Sequence, residues 1–281
     1  MSKVMITDWQ TNMVYFSKRL TWSKVWPGLK VVLEENSVRY GFLDSTRDKW
    51  ARDYMPIQIA KDCFVSYVYD PDYLQEDRNL ITRLEEIRSI PNINLGQSTH
   101  LIIDGGNVVK GDDFVVMTDK VFIENERINV SRRDVLEELE RLFGNVVIIP
   151  WDRKDEWDFC GHADGMVRHI RGRKVLLNNF CNHPEKEGLR KAILEALSEK
   201  GIDCEELDYG PGYHGVNDWA YLNFLQVGDV MFMPTVERPK EDEMVKLLFI
   251  PPNIKTVFGS FCISSVMLQI VSHDHVSVGI L

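Results

Sequence analysis

Seven short apolar or β-branched runs recur along this chain, and charged stretches with a helical period separate them. The runs are MVYF from Met13, VSYVY from Val65, HLIID from His100, FVVMTD from Phe114, VVIIP from Val146, KVLLNN from Lys174 and DVMFMP from Asp229. Each has the length of a strand, not of a helix. Between them, SRRDVLEELERLFGN puts Val135, Leu136, Leu139 and Leu142 on one helical face, with Ser131 at the N-cap and Gly144 at the end. GLRKAILEALSEKG repeats the design with Leu189, Ile193, Leu194 and Leu197 inward and Gly201 as C-cap. Strands alternating with helices predict an α/β protein. No linker, charge block or low-complexity tract divides residues 1–281, so the chain reads as a single domain.

Charge and cysteine usage narrow the function. Lys plus Arg number 33 against 43 Asp plus Glu, a net charge of −10, which repels nucleic acid and acidic membranes and favours cationic ligands. Cys63, Cys160, Cys181, Cys204 and Cys262 are widely spaced and include no CxxC pair, so they read as reduced thiols and not as disulfides or a zinc knuckle. The first twenty residues lack an apolar signal core, and no run approaches the ~18 apolar residues of a membrane span. A cytoplasmic protein is expected. No GxGxxG or GxxxxGK[ST] follows a strand, which removes the usual phosphate-cradling loops.

Four segments carry functional groups beside turn residues. DKWARDYMP holds Arg52 and Asp53, readable as a surface Asp–Arg turn or as a site. LIIDGGNVV runs a strand into Asp104, Gly105 and Gly106, where paired glycines permit a hairpin turn or close backbone approach. CGHADGMVRHI sets His162 and Asp164 two apart, on one side of what reads as a strand edge, suited to proton transfer. The alternatives there are an internal His–Asp hydrogen bond or a metal site; the HDH at His273 and His275 reads as tail. FGSFCISSV gives Cys262 a turn-like setting, where a nearby imidazolium such as His162 would make its thiolate a nucleophile, while Cys63, Cys181 and Cys204 read as small core residues.

Taken in order, ARDYMP, DGGN, GHADGMVR, YLNF and GSFCIS resemble the agmatine deiminase and bacterial peptidylarginine deiminase family of guanidine-modifying enzymes. The resemblance implies a pentein fold, a five-bladed α/β propeller of ββαβ units around a central active-site tunnel. Asp53 to Asp104 spans 51 positions, Asp104 to His162 58, His162 to Asn223 61 and Asn223 to Cys262 39, close to one element per blade except for the last. An abbreviated fifth blade is therefore expected, with PPNIKTVF bridging directly toward the cysteine.

By that resemblance, Cys262, His162, Asp164 and Asp104 form the catalytic set, and Asp53, Asp164, Asn223, Trp50 and Arg168 bind the substrate. A planar, permanently charged guanidinium suits bidentate carboxylates, here Asp53 and Asp164. Cys262 would attack its carbon, His162 would protonate the departing ammonia and then activate water, and Asp104 would orient His162. Asp104 stands where family members often have Glu, and Met55 replaces the Gly of RDxGP. The partner implied is a small cationic guanidine, without cofactor or metal. Two other readings stay open: a non-catalytic pentein that binds a cation or a protein partner, and an HxD metal hydrolase. Amidino transfer in place of hydrolysis and assembly into a homo-oligomer are left undecided by the sequence.

Overall fold

In the computed structural model, which describes residues 4–87, 95–155, 158–210, 221–235, 238, 241–243, 245, 254–259 and 269–270, the strands assort into five three-stranded sheets. β1 (Met13–Ser17) leads through helix α1 (Trp26–Glu35) to the parallel strand β2 (Arg39–Leu43). After the single-turn helix α2 (Ala51–Tyr54), β3 (Ile57–Ala60) pairs antiparallel with β4 (Cys63–Val68), and β4 pairs parallel with β5 (Gln97–Ile102) beyond helix α3 (Leu84–Ile87). The next sheet repeats this order with β6 (Val109–Lys110), β7 (Phe114–Thr118), helices α4 (Lys120–Glu126) and α5 (Arg132–Phe143), and β8 (Asn145–Ile149). A fourth has β9 (Val167–Arg171), β10 (Lys174–Leu177), helix α6 (Glu187–Glu199) and β11 (Asp203–Glu206). The fifth has β12 (Leu225–Val227), β13 (Val230–Pro234) and β14 (Lys255–Gly259).

Every sheet has one antiparallel and one parallel pairing on its central strand. The first sheet obtains its antiparallel partner from the far end of the chain, because β15 (Gln269–Ile270) pairs with β1 at Val14 and Tyr15. The fifth unit is the shortest from first strand to third, yet it keeps its third strand. Residues 255–259, read from sequence as a bare bridge, form its third strand and pair with β13 from Val230–Lys255 to Pro234–Gly259.

The helices follow their sequence signals. Ser131 Oγ accepts from Asp134 N at 3.2 Å and caps α5, whose Val135, Leu139, Leu142 and Phe143 are buried while Leu136 packs half-buried against the same core. Gly144 ends α5 at φ +83° and Gly201 follows α6 at φ +64°, the left-handed region that glycine enters without cost. In α6, Ile193 and Leu197 are buried and Leu189 and Leu194 pack beside them. Burying each such Leu or Ile contributes about 1.5–3 kcal/mol, so these faces anchor the helices to their sheets. Among the described residues, no helix is long and apolar enough to cross a membrane.

The N-terminal segment ties separate sheets together. Met5 N donates to Asp112 O at 2.8 Å, Trp9 Nε1 to Ile170 O at 2.7 Å, and Asp8 O accepts from Gly228 N at 3.2 Å. The second residue of β3, β6, β9 and β12 is polar in every case: Gln58, Lys110, Arg168 and Gln226. Three of these are fully buried, and Lys110 Nζ donates to Gln58 O at 3.0 Å.

Candidate active site

The motif residues occupy one equivalent place in four units: the segment just ahead of the unit's first strand. Asp53 precedes β3, Asp104 precedes β6, His162 and Asp164 precede β9, and Asn223 precedes β12. ARDYMP is not a surface turn. Asp53, Tyr54 and Met55 are buried, and Tyr67 Oη donates to both Asp53 O (2.7 Å) and Met55 O (2.9 Å), fixing the turn from below. The paired glycines serve close approach, with no positive φ at either. A Cβ on Gly105 would lie 2.0 Å from Arg52 O, and one on Gly106 would lie 2.3 Å from His162 Nδ1 and 2.8 Å from Asp53 Oδ1.

His162 and Asp164 lie in a loop and a 3-10 turn over Ala163–Gly165, not on a strand edge as the two-residue spacing suggests, yet both are buried. Asn107, the last residue of DGGN, sets that loop. Its Oδ1 accepts from Thr118 N (2.8 Å) and Ala163 N (3.2 Å), while Thr118 Oγ1 donates to Gly161 O at 2.5 Å. Asn107 carries no sequence signal of this role, because amides at turns usually serve their own backbone.

His162 Nε2 lies 2.9 Å from Asp104 Oδ2, a charge contact without the alignment of a full hydrogen bond. Asp104 Oδ1 accepts from Gly106 N at 3.1 Å and its Oδ2 from Tyr73 Oη at 2.5 Å. One oxygen each of Asp53 and Asp104 and a nitrogen of His162 lie within 4.8 Å of one another. Asp164 pairs with Arg52, whose Nε is 2.9 Å from Asp164 Oδ2 and whose Nη2 donates to Val108 O at 3.0 Å. Asp53 Oδ1 is buried and has no hydrogen-bond partner.

Crowded carboxylates perturb one another. Burial and then Asp104 push the Asp53 carboxyl well above the usual carboxylate range, with His162 opposing. Burial also raises Asp164 against the pull of Arg52 and His162. Burial alone would discharge the His162 imidazolium, but Asp104, and behind it Asp53 and Asp164, lift its pKa to about 10. Asp48, largely desolvated beside the same group, rises to about 6. Burial and the same carboxylates push the nearby Cys160 thiol up, which makes it a poor nucleophile. The cluster favours protons or another cation in its centre, and its two carboxylates and imidazole are also compatible with a divalent ion.

The remaining expected site residues divide. Trp50 heads helix α2, half-buried, with Lys49 Nζ 4.9 Å above its ring. Asn223 is buried between the core residues Leu222 and Phe224. Arg168 is held by an ion pair with Asp8 and stacks 4.3 Å over Phe224, so its charge is already engaged by the protein. Cys262 lies outside the described residues, as do His273 and His275; in sequence Cys262 falls between β14 and β15. Tyr73 and the Arg52–Asp164 pair carry no local sequence signal, since their partners are 31 and more than 100 positions away.

Residues 30–251 match the Porphyromonas-type peptidyl-arginine deiminase family. No curated protein matches the sequence. Among solved structures, a cysteine-to-serine variant of C. jejuni agmatine deiminase with substrate bound superposes with a TM-score of 0.67 at 16% identity, over 96% of each chain. The agmatine deiminase of Enterococcus faecalis gives 0.67 at 14% identity over 95% of each chain. The DDAH of Pseudomonas aeruginosa in complex with citrulline gives 0.52 at 11% identity, covering 93% of this chain and 99% of that one. These likenesses are of fold.

Proposed function

The chain belongs to the Porphyromonas-type peptidyl-arginine deiminase family, and from that premise we propose that it hydrolyses the guanidino group of a small cationic guanidine, agmatine or a relative, to a ureido group and ammonia. The observation that carries this reading is the buried grouping of Asp53, Asp104 and His162, with Asp53 Oδ1 unpartnered. A guanidinium is the cation such a group suits, because its planar N–H fork satisfies carboxylates in pairs. Asp53 is the first grip and Asp164 the second, the latter already sharing one oxygen with Arg52. Trp50 and Asn223 serve as further substrate contacts, while Arg168, paired with Asp8, acts through its charge on Asp164.

In the reaction the Cys262 thiolate forms a C–S bond to the guanidinium carbon, and the C–N bond breaks as His162 gives its proton to the departing ammonia. The high proton affinity of His162 suits that acid step. The second cation then in the site lowers this affinity and leaves a neutral imidazole. That imidazole takes one proton from water as the new C–O bond forms on the thiouronium carbon; the C–S bond then breaks, the second water proton leaves to solvent, and thiolate and ureido product result. Asp104 orients His162 throughout.

Architecture supports the same reading. Five sheets of one pairing pattern, the first completed by β15 on β1, are consistent with a five-bladed propeller. The polar residues at equivalent positions of the first strands then face its axis, and Cys262 occupies, in sequence, the place ahead of β15 that the other motif residues occupy ahead of β3, β6, β9 and β12.

The test is product release from agmatine, free arginine and a blocked arginine peptide, with ammonia and ureido product formed one to one. Absence of both from all three substrates contradicts the reading. The ligand-compatible spacing of Asp53, Asp104 and His162 supports a second reading, a metal hydrolase, and separates cleanly from the first: its activity is lost with chelator, whereas the deiminase is indifferent to chelator. A non-catalytic cation-binding pentein instead gives slow, uniform labelling of all five cysteines by iodoacetamide, with no guanidine protection of one.

A further inference from the structure

The segment from Asp70 to Gln75, DPDYLQ, enters the site from a distance and does so in a fixed pose. Asp72 pairs with the buried Lys120 Nζ at 2.5 Å, and Asp72 N donates to Glu124 Oε1 at 3.1 Å. Arg127 Nη1 donates to Asp70 O at 2.8 Å and also pairs with Glu124. Lys120 and Glu124 belong to α4 and Arg127 is its C-cap residue, so one helix and its cap hold the segment through three side chains. What it presents is Tyr73. The phenol donates to Asp104 Oδ2 at 2.5 Å, and the ring stands edge-on to His162 with centroids 6.1 Å apart and to Phe159 at 5.7 Å.

Asp104 Oδ2 thus accepts from Tyr73 while facing His162 Nε2, and its Oδ1 is taken by Gly106 N. A carboxylate so shared cannot rotate without breaking a bond, whereas one facing only an imidazole could. We infer that Tyr73 is a positioning residue for the proposed reaction: its hydroxyl fixes which oxygen of Asp104 faces His162, and its ring walls one side of the imidazole. The inference rests on the functional reading above. Asp53, Asp104, Asp158, Asp164 and Cys160 are the other titratable groups acting on or set around His162; of these only Asp104 bonds to the Tyr73 hydroxyl, which also lies 3.5 Å from Tyr69 Oη.

Tyr73→Phe keeps the ring and removes only the hydroxyl. The phenol draws charge from Oδ2, so without it the carboxylate holds the His162 proton more tightly. The expected result is a kcat lowered about tenfold with KM within about twofold of wild type, the separation that marks lost orientation and not lost substrate contact. The His162 titration, followed by NMR in the substrate-free protein, should move up by roughly half a unit or more. A kcat within twofold of wild type, or an unmoved His162 titration, overturns the inference. If the wild type releases no ureido product from any guanidine, the functional reading fails, and the NMR titration still decides the role of Tyr73.

Discussion

Gly106 backs directly onto His162, and a Cβ at that position would stand 2.3 Å from the imidazole Nδ1. The same Cβ would press on Asp53 Oδ1 at 2.8 Å, so one methyl group displaces both the proposed acid and the proposed substrate grip. Gly106→Ala should lower kcat by about two orders of magnitude, the cost of roughly 1 Å of misplacement. Gly188→Ala is the control: nothing lies within 4 Å of its added Cβ, it sits in α6, and it should raise stability by about 0.5–1 kcal/mol with activity unchanged. Steady-state kinetics and urea unfolding of both variants check this, and an active Gly106→Ala contradicts the close packing.

Arg52 and Asp164 make a pair in which the carboxylate side chain is only 2% exposed and the guanidinium 17%. Removing one charge strands the other. Arg52→Met should destabilise the fold by about 3 kcal/mol, because an uncompensated buried carboxylate remains. Arg52→Met with Asp164→Asn should recover part of that loss, since the stranded charge is gone. Urea midpoints of the two variants decide it; equal midpoints would mean that the stranded carboxylate costs the fold nothing.

Stability should fall as pH rises above neutrality. His162 titrates near 10 in the folded chain against ~6.5 unfolded, so its stabilisation is complete below about pH 6.5 and is lost as pH climbs through 10. Asp53, raised by burial and by Asp104, has the same sign: the unfolded chain releases that proton first, so stability declines as pH rises toward its folded pKa. Asp104→Asn removes the principal support of the imidazolium and should flatten the alkaline limb. Melting temperatures between pH 6 and pH 10 test both statements, with a drop of roughly 5 °C or more expected for wild type and a smaller one for the variant. A wild-type melting temperature that rises over that range would contradict the assigned charges.

The sequence revealed the centre of each sheet better than its edges. MVYF, VSYVY, FVVMTD, KVLLNN and DVMFMP are the central strands β1, β4, β7, β10 and β13, nearly all buried, and burial on both faces writes a continuous apolar run. The first strands stayed hidden because they are short and put Gln58, Lys110, Arg168 or Gln226 into the interior, where an apolar pattern is expected. Edge strands β2, β11 and β14 are largely exposed or half-exposed and carry mixed residues, which concealed the third strand of the fifth unit. In the site, Asp53, Asp104, His162 and Asp164 were legible as motifs. Tyr73 and the Arg52–Asp164 pairing were not, because only the folded chain brings together residues so distant in sequence.

Cys262 is the residue on which the proposed chemistry depends. Turnover of agmatine by the Cys262→Ala variant, followed as ureido product against wild type under saturating substrate, measures whether the chemistry passes through that sulfur. Loss of at least about a thousandfold in kcat is expected, as for removal of a covalent nucleophile, with the His162 titration unchanged within about half a unit. Turnover by the variant equal to that of wild type would contradict the nucleophile and, with it, the thiouronium route.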